Sequence, residues 1–337
     1  MTRSVFFLAL FLFSNICSAQ KITPQDLKIL QKKEDSLKTL SLKIIQGRSA
    51  GDRFVADSEF TKIFVRALKV KNSFQYRFDS VLTISRLMPP DSSFKIFTWQ
   101  MVINDNVVRQ HGAIQMKTAD GSLKLFPLID KSDVTQNMAD TTGNNFGWIG
   151  AVYYKLIQTQ SGNKKFYTLL GYDENNIRSN KKIVEVLVFE NGQPVFGGSY
   201  FNYSDNKSLK QDPKRLILEY KKNASPRLVY DVDQDMIIYE HLIAETGEVQ
   251  KKYTYIGDGD YEGLKWKDGK WVHIDKVFTQ TTNLGEEPLP NPIRDAKGDV
   301  DHTKLKDKGL TDDEDKPVKT ETKTKITPSK IKVKKKD

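Results

Sequence analysis

The chain has 337 residues, a formal net charge of +10 and one cysteine, Cys17. A single thiol excludes an intramolecular disulfide framework and a zinc site built from several thiolates. The positive balance is mild for a chain of this length. We therefore predict no nucleic-acid partner, whereas loose attraction to an anionic polymer of the cell envelope agrees with the charge.

The N-terminal segment is typical of a secretory signal peptide. Arg3 precedes the unbroken apolar run 5–13, and small side chains follow up to Ala19, where cleavage is expected. The run is shorter than the roughly 20 apolar residues of a membrane helix, so we predict no transmembrane segment. Residues 1–19 are thus assigned to a signal peptide, and the protein is expected in the periplasm or on the cell surface. A lipoprotein signal with Cys17 as the lipidated residue is the less favoured alternative, because the preceding residue is bulky.

Residues 20–92 are predicted to form a helical N-terminal region that packs on a β domain. Thr23 is a typical helix N-cap, Pro24 suits the first turn, and Asp26 completes a capping-box pattern. Leucine and isoleucine then recur at helical spacing until Gly47, which indicates the end of the first helix.

A second helix is expected to begin near Asp57. Its large apolar side chains form one stripe, which consists of Phe60, Ile63, Phe64, Ala67 and Leu68. A basic amphipathic helix can also lie on a membrane surface. We expect this stripe to belong to the protein core instead.

From about Ser93 the hydrophobic period changes to two, which predicts β-strands. Runs rich in Val, Ile, Phe and Tyr are joined by the turn sequences NDN, TADGS, SGN, ENGQ and TGE, which are typical of antiparallel hairpins. The predicted fold class is α+β and mostly β: two N-terminal helices followed by a large antiparallel β meander over residues 93–284. The pattern leaves open a curved sheet, a barrel or a partial propeller.

Residues 285–337 have the composition of a disordered charged tail. They contain no Phe, Trp or Tyr and hold blocks of acidic and basic residues. Such a segment cannot bury enough apolar surface to offset the entropy lost on ordering. A tether to an anionic polymer is the alternative reading of its charge blocks.

Four segments in order, 78–101, 166–197, 215–231 and 255–275, resemble a family of uncharacterised exported proteins from Bacteroidota-type bacteria. The resemblance covers most of residues 74–275. It implies export and a shared β domain, and it implies no catalytic residues. The chain departs from the family pattern in GYDENN, where Tyr172 and Glu174 stand in place of a tryptophan and a glycine.

The sequence GDGDYEGLKWKDGKW, residues 257–271, resembles the start of a calcium loop. Asp258, Asp260 and Glu262 have the spacing of the first ligands, but the twelfth position is Gly269, where such a loop needs a bidentate Glu. We therefore interpret GDGD and KDG as hairpin turns whose Asp side chains bond their own backbone, and we predict no metal site. A metal site formed by these three carboxylates remains the weaker alternative.

Histidines offer no clear catalytic or metal-binding pattern either. His111, His241, His273 and His302 include no pair at helical metal spacing, and the sequence contains no phosphate loop or nucleophile elbow. We expect His241 to be a core or cross-strand residue. No catalytic residue and no cofactor is predicted.

Aromatic and acidic residues of two segments are candidates for surface binding: Tyr172, Asp173, Tyr261 and Trp266. Most weight goes to a non-catalytic structural or assembly protein of the cell envelope. The alternative is a β module that binds carbohydrate or an envelope polymer, and a carboxylate-dependent glycoside hydrolase is a third hypothesis. The partner is unknown, with an anionic envelope polymer or another envelope protein as the candidates. An aromatic groove would favour the carbohydrate-binding module, and a buried pair of carboxylates would favour the hydrolase. A flat apolar patch would favour the assembly protein.

Overall fold

A computed structural model describes residues 21–104, 107–205 and 212–278. The predicted signal peptide and charged tail lie outside these residues. The described part begins with helices α1, Pro24–Gln46, and α2, Ala50–Leu68. Its strands are β1 Ser85–Leu87, β2 Phe94–Asn104, β3 Val107–Met116, β4 Lys124–Ile129, β5 Gly143–Asn144, β6 Val152–Ser161, β7 Lys164–Asp173, β8 Ser179–Glu190, β9 Gln193–Phe196, β10 Phe201–Asn202, β11 Leu216–Lys221, β12 Leu228–Asp231, β13 Met236–Ala244, β14 Tyr255–Lys267 and β15 Lys270–Ile274.

The predicted limits of α1 are confirmed. The Thr23 hydroxyl accepts a hydrogen bond from the Asp26 backbone N–H at 3.1 Å, and Gly47 is the C-cap. The predicted start of α2 near Asp57 is wrong, because the helix begins at Ala50. Ser49 and Asp52 form a reciprocal capping box there, which fixes the earlier start.

All five predicted hairpins are present. The turn sequences join β2 to β3, β3 to β4, β6 to β7, β8 to β9 and β13 to β14, and each pair is antiparallel. Asn191 and Gly192 both adopt positive φ in the ENGQ turn, as a tight two-residue hairpin requires. The pairing of β10 with β15 is parallel and departs from the predicted meander.

The described strands form three open sheets rather than a closed barrel. The strand orders are β1-β2-β3-β4, then β5-β9-β8-β7-β6 with β11 also paired to β8, and β10-β15-β14-β13-β12. We call these the first, middle and last sheets. Strand β1 lies within residues 20–92, so the first sheet begins before the predicted β domain.

Three apolar cores hold four layers together. Helices α1 and α2 cover one face of the first sheet, and the middle sheet covers its other face. The last sheet packs on the remaining face of the middle sheet. Neighbouring residues of β7 point into different cores, Leu169 towards the first sheet and Leu170 towards the last. This two-sided burial explains the continuous apolar sequences of β7 and β8.

The predicted stripe of α2 is confirmed as core. Phe60, Phe64, Ala67 and Leu68 are buried, and Ile63 packs against the same core with partial exposure. None of the helices among the described residues has the combination of length and apolar character that crossing a membrane requires.

Candidate functional site

A cavity of about 940 Å³ lies between the last sheet and strand β11 of the middle sheet. Strands β13 and β14 supply one wall, and β11 supplies the opposite wall. Its lining includes Tyr203, Tyr239, His241, Tyr255, Asp258, Asp260 and Glu262. We call it the β14 cavity.

Strand β14 carries the acidic wall of this cavity. It runs without interruption through GDGD, so the predicted turn at Asp258 and Asp260 is wrong, whereas the predicted turn at Asp268 and Gly269 is confirmed. Asp258 does accept a hydrogen bond from the Asp260 N–H at 3.0 Å, as predicted. Asp258, Asp260 and Glu262 all line the cavity.

The glycines of GDGD are explained by this strand. A Cβ on Gly257 would lie 2.0 Å from Glu240 Oε1 on the neighbouring strand β13. Gly259 has a φ of +90°, which side chains rarely tolerate. The glycines therefore allow an irregular strand to pass close to β13, and they are not evidence for a turn.

His273 of β15 lies between two carboxylates. Its Nε2 is 2.8 Å from Glu262 Oε2, and its Nδ1 is 2.9 Å from Asp205 Oδ1. Since a carboxylate can only accept, both ring nitrogens donate and the imidazole is positively charged. Burial disfavours that charge, but the two hydrogen bonds outweigh burial and raise the pKa of His273.

Glu262 is the central acceptor of the cavity. Its Oε2 also accepts a hydrogen bond from the Tyr239 hydroxyl at 2.6 Å. Burial opposes ionisation of this carboxyl, but the bonds from His273 and Tyr239 outweigh it and lower the pKa of Glu262. Glu262 is therefore an anion near neutral pH.

His241 and Asp258 form a second pair at the cavity wall. His241 Nδ1 lies 2.7 Å from Asp258 Oδ2, while its Nε2 is 3.8 Å from Glu262 Oε1. Burial alone favours the neutral acid, yet the hydrogen bonds from His241 and from the Asp260 N–H, acting together, outweigh burial and lower the pKa of Asp258. The prediction of a cross-strand histidine is confirmed, and a bulge between Glu240 and Leu242 accompanies it.

The charge of the cavity lining is negative. Six of its residues are acidic, namely Glu219, Glu240, Asp258, Asp260, Glu262 and Asp275, against four lysines and arginines, namely Lys181, Arg215, Lys252 and Lys276. One group of each sign is paired with an opposite charge outside the lining: Arg215 with Glu185, and Glu262 with His273. The lining thus favours a neutral or cationic ligand over an anionic one.

A buried ionic network fixes one edge of the cavity. Arg215 Nε donates to Glu185 Oε2 at 3.0 Å, and neither side chain is exposed. Arg215 Nη1 also donates to the carbonyl oxygens of Met138 and Thr141. The Tyr153 hydroxyl donates to the other oxygen of Glu185. Through these bonds the segment around Met138 is held against β11.

The four residues predicted for surface binding do not line the β14 cavity. On β7, the Tyr172 hydroxyl bonds Asn180, and Asp173 is buried with bonds from Gln110 and Asn175. On β14, the ring of Tyr261 packs against Phe278, and Trp266 packs against Phe166 and Trp271. The two pairs lie in different sheets.

The weak metal alternative involves residues that have protein partners. Asp258 bonds His241, Asp260 lies 3.3 Å from Lys276 Nζ, and Glu262 bonds His273 and Tyr239. Within residues 21–104, 107–205 and 212–278, no three His, Cys, Asp or Glu side chains are arranged to hold a metal ion.

The charge of His273 predicts a pH dependence of stability. Its folded pKa is raised above the ordinary value of 6.5, so its contribution is complete below pH 6.5 and is lost as pH rises through the folded pKa. Denaturant unfolding of the wild type should therefore show a decline in the free energy of unfolding above pH 6.5, which His273→Gln should reduce.

His111 provides the control for this experiment. Burial lowers the pKa of His111, so this group alters stability below pH 6.5 instead. His111→Gln should keep the decline above pH 6.5. An unchanged decline in His273→Gln would contradict the assigned charge of His273.

No protein-family model, curated protein or solved structure matches the chain. Function is therefore inferred from the geometry of the β14 cavity.

Proposed function

We propose that the protein is a non-catalytic, exported binding protein of the bacterial cell envelope, and that the β14 cavity binds a carbohydrate. The observation that carries this proposal is the row of Asp258, Asp260 and Glu262 along one wall of a cavity that also holds tyrosines. Carboxylates accept hydrogen bonds from sugar hydroxyls, and aromatic rings supply flat apolar contact.

The ligand class follows from the charge and from the fixed geometry. Because acidic residues outnumber basic ones in the lining, a neutral or amino-bearing saccharide suits the cavity better than an acidic polymer. His273 and His241 hold Glu262 and Asp258 in place, so the acceptors are oriented before a ligand arrives. Such preorganisation lowers the entropic cost of binding.

Binding is favoured over glycoside hydrolysis by the protonation of the carboxyls. Hydrolysis needs one carboxylic acid that is protonated at working pH to donate to the leaving group. The pKa values of Asp258 and Glu262 are both lowered. Among the residues that the structure describes, a raised carboxyl pKa is found at Asp173, which is buried elsewhere on β7.

Titration calorimetry with soluble saccharides tests the proposal. Oligomers of N-acetylglucosamine and of galacturonate serve as neutral and acidic probes, and the neutral oligomer should bind more tightly. Asp258→Asn should weaken that binding about tenfold, since a hydrogen bond to a charged acceptor is lost.

Asp268→Asn is the matched control. Asp268 lies in the turn of the same hairpin, is exposed and has a positive φ that Asn adopts readily. It should bind like the wild type. Equal affinities of wild type and Asp258→Asn, or no saturable binding of either oligomer, would refute the carbohydrate proposal.

A structural or assembly role is the second proposal, and one surface favours it. Four apolar side chains near the α1–α2 connection are exposed: Leu42 at 41%, Ile45 at 49%, Phe54 at 46% and Val55 at 67%. Leu42 and Val55 line the same cavity there, and clustered apolar exposure is characteristic of contacts between proteins. Cross-linking in the native envelope distinguishes the two proposals, because an assembly protein gives a discrete cross-linked protein species.

A further inference from the structure

A second cavity, of about 630 Å³, lies on the helix-facing side of the first sheet. Strand β2 contributes Lys95 and Phe97, and β1 contributes Arg86. Arg86 is the cross-strand partner of Phe97, and Lys95 lies two residues away on β2, so all three side chains share one face. The segment after α2 closes the cavity with Phe74 and Arg77.

Basic groups dominate this second cavity. Its lining contains four of them, Arg77, Arg86, Lys95 and Lys117, against one carboxylate, Asp79. Arg77 pairs with Asp79 at 3.1 Å, with both side chains largely exposed at the surface. For Arg86, Lys95 and Lys117, no carboxylate of the described residues lies within ion-pair distance.

Two of the basic side chains are held in position by the backbone. Lys95 Nζ donates to the Tyr76 carbonyl at 2.8 Å and lies 5.3 Å from the centroid of the Phe74 ring. Arg86 Nη1 donates to the carbonyls of Phe78 and Val81. These neutral acceptors orient both cations without neutralising them.

We propose that this cavity is an anion site that binds the phosphate, sulfate or carboxylate group of a ligand with an apolar portion. Lys95, Arg86 and Lys117 supply the charge, and Phe74, Leu87 and Met88 of the lining supply the apolar contact. The volume exceeds that of an inorganic oxyanion, which leaves room for the rest of the ligand. This site is separate from the β14 cavity and does not depend on the carbohydrate proposal.

The protonation behaviour of Lys95 agrees with an anion site. Burial, together with the charge of Arg77, lowers the pKa of Lys95 to about 8. The charged groups around it are Arg77 and Asp79 on the segment after α2, Arg86 on β1 and Lys117 after β3. A bound oxyanion offsets both the burial and the repulsion between cations, so binding favours the protonated amine.

Titration calorimetry with phenyl sulfate and inorganic sulfate tests the site. Phenyl sulfate should bind more tightly than inorganic sulfate because of its ring. Lys95→Gln should weaken phenyl sulfate about tenfold or more, since a charge-assisted hydrogen bond is lost. Lys131→Gln, an exposed residue outside the cavity with the same charge change, should bind like the wild type.

The pH profile adds a readout that a structural role would not change. Phenyl sulfate keeps its charge between pH 6 and 9.5, so the wild-type affinity should fall as pH rises through about 8, where Lys95 loses its proton. Lys95→Gln should lack that fall. If Lys95→Gln does not fold, Lys117→Gln replaces it, because this side chain is exposed, and it should likewise weaken the binding of phenyl sulfate.

Vesicles identify the source of the anionic group. Phosphatidylglycerol vesicles that bind the wild type but not Lys95→Gln point to a lipid headgroup, and binding of phenyl sulfate alone points to a soluble ligand. The absence of saturable binding to phenyl sulfate and to vesicles refutes the site. So does equal binding by Lys95→Gln and wild type.

Discussion

Replacing Arg215 by methionine is expected to lower the free energy of unfolding by about 3–5 kcal/mol, because it leaves the carboxylate of Glu185 buried without its cation. Both side chains are fully buried, so water cannot replace the lost partner. Denaturant unfolding at constant pH measures the change. A loss below about 1 kcal/mol would contradict the assigned buried ion pair of Arg215 and Glu185.

A neighbouring residue gives the control. Lys214 pairs with Asp212 at 2.7 Å, but this pair is partly exposed, and Lys214→Met should change the free energy of unfolding by less than about 1 kcal/mol. The double replacement Arg215→Met with Glu185→Leu removes both charges and should recover part of the loss. No recovery in the double variant would show that the bonds of Arg215 to Met138 and Thr141 matter more than the ion pair.

Phe64→Ala should cost about 3–5 kcal/mol of unfolding free energy, since it removes a buried ring that lies at the centre of the helix-facing core. The ring contacts Phe60, Phe78, Phe97 and Trp99 at centroid distances from 4.9 to 6.2 Å. These neighbours come from the helix, the following segment and β2, so they cannot all move to fill the space. Thermal or denaturant unfolding measures the effect.

Phe54 supplies a matched comparison on the same helix. It is 46% exposed, so Phe54→Ala should change the free energy of unfolding by less than about 1 kcal/mol. A similar cost for both variants would contradict the assignment of the Phe60–Phe64 face as core. It would also revive the hypothesis that this stripe lies on a membrane or a partner.

Local signals in the sequence predicted much of the fold. Caps, turn residues and hydrophobic periods act over a few residues, so the limits of α1, the α2 stripe and five hairpins follow from them. The start of α2 differs from the prediction because the capping box of Ser49 and Asp52, and not Asp57, begins the helix. The glycines of GDGD do not distinguish a turn from a strand, because glycine permits turns and also permits β14 to pass close to β13.

The candidate site was less predictable because its parts are distant in sequence. Asp205 and His273 are 68 residues apart and meet only through the pairing of β10 with β15. Strand β11 faces β14 because it pairs with β8, which no local pattern indicates. One signal was present: Asp258, Asp260 and Glu262 alternate with other residues, which in a strand places three carboxylates on one face.

Because the middle sheet is buried on both faces, the protein cannot be divided into separate layers. Strands β7 and β8 supply side chains to the cores on both of their faces. Removal of either outer sheet would expose a broad apolar surface of these strands to water, and such surfaces promote aggregation. The layers are therefore not independent modules. Any soluble fragment that contains the β14 cavity must therefore include the first sheet, although that sheet contributes no residue to the cavity lining.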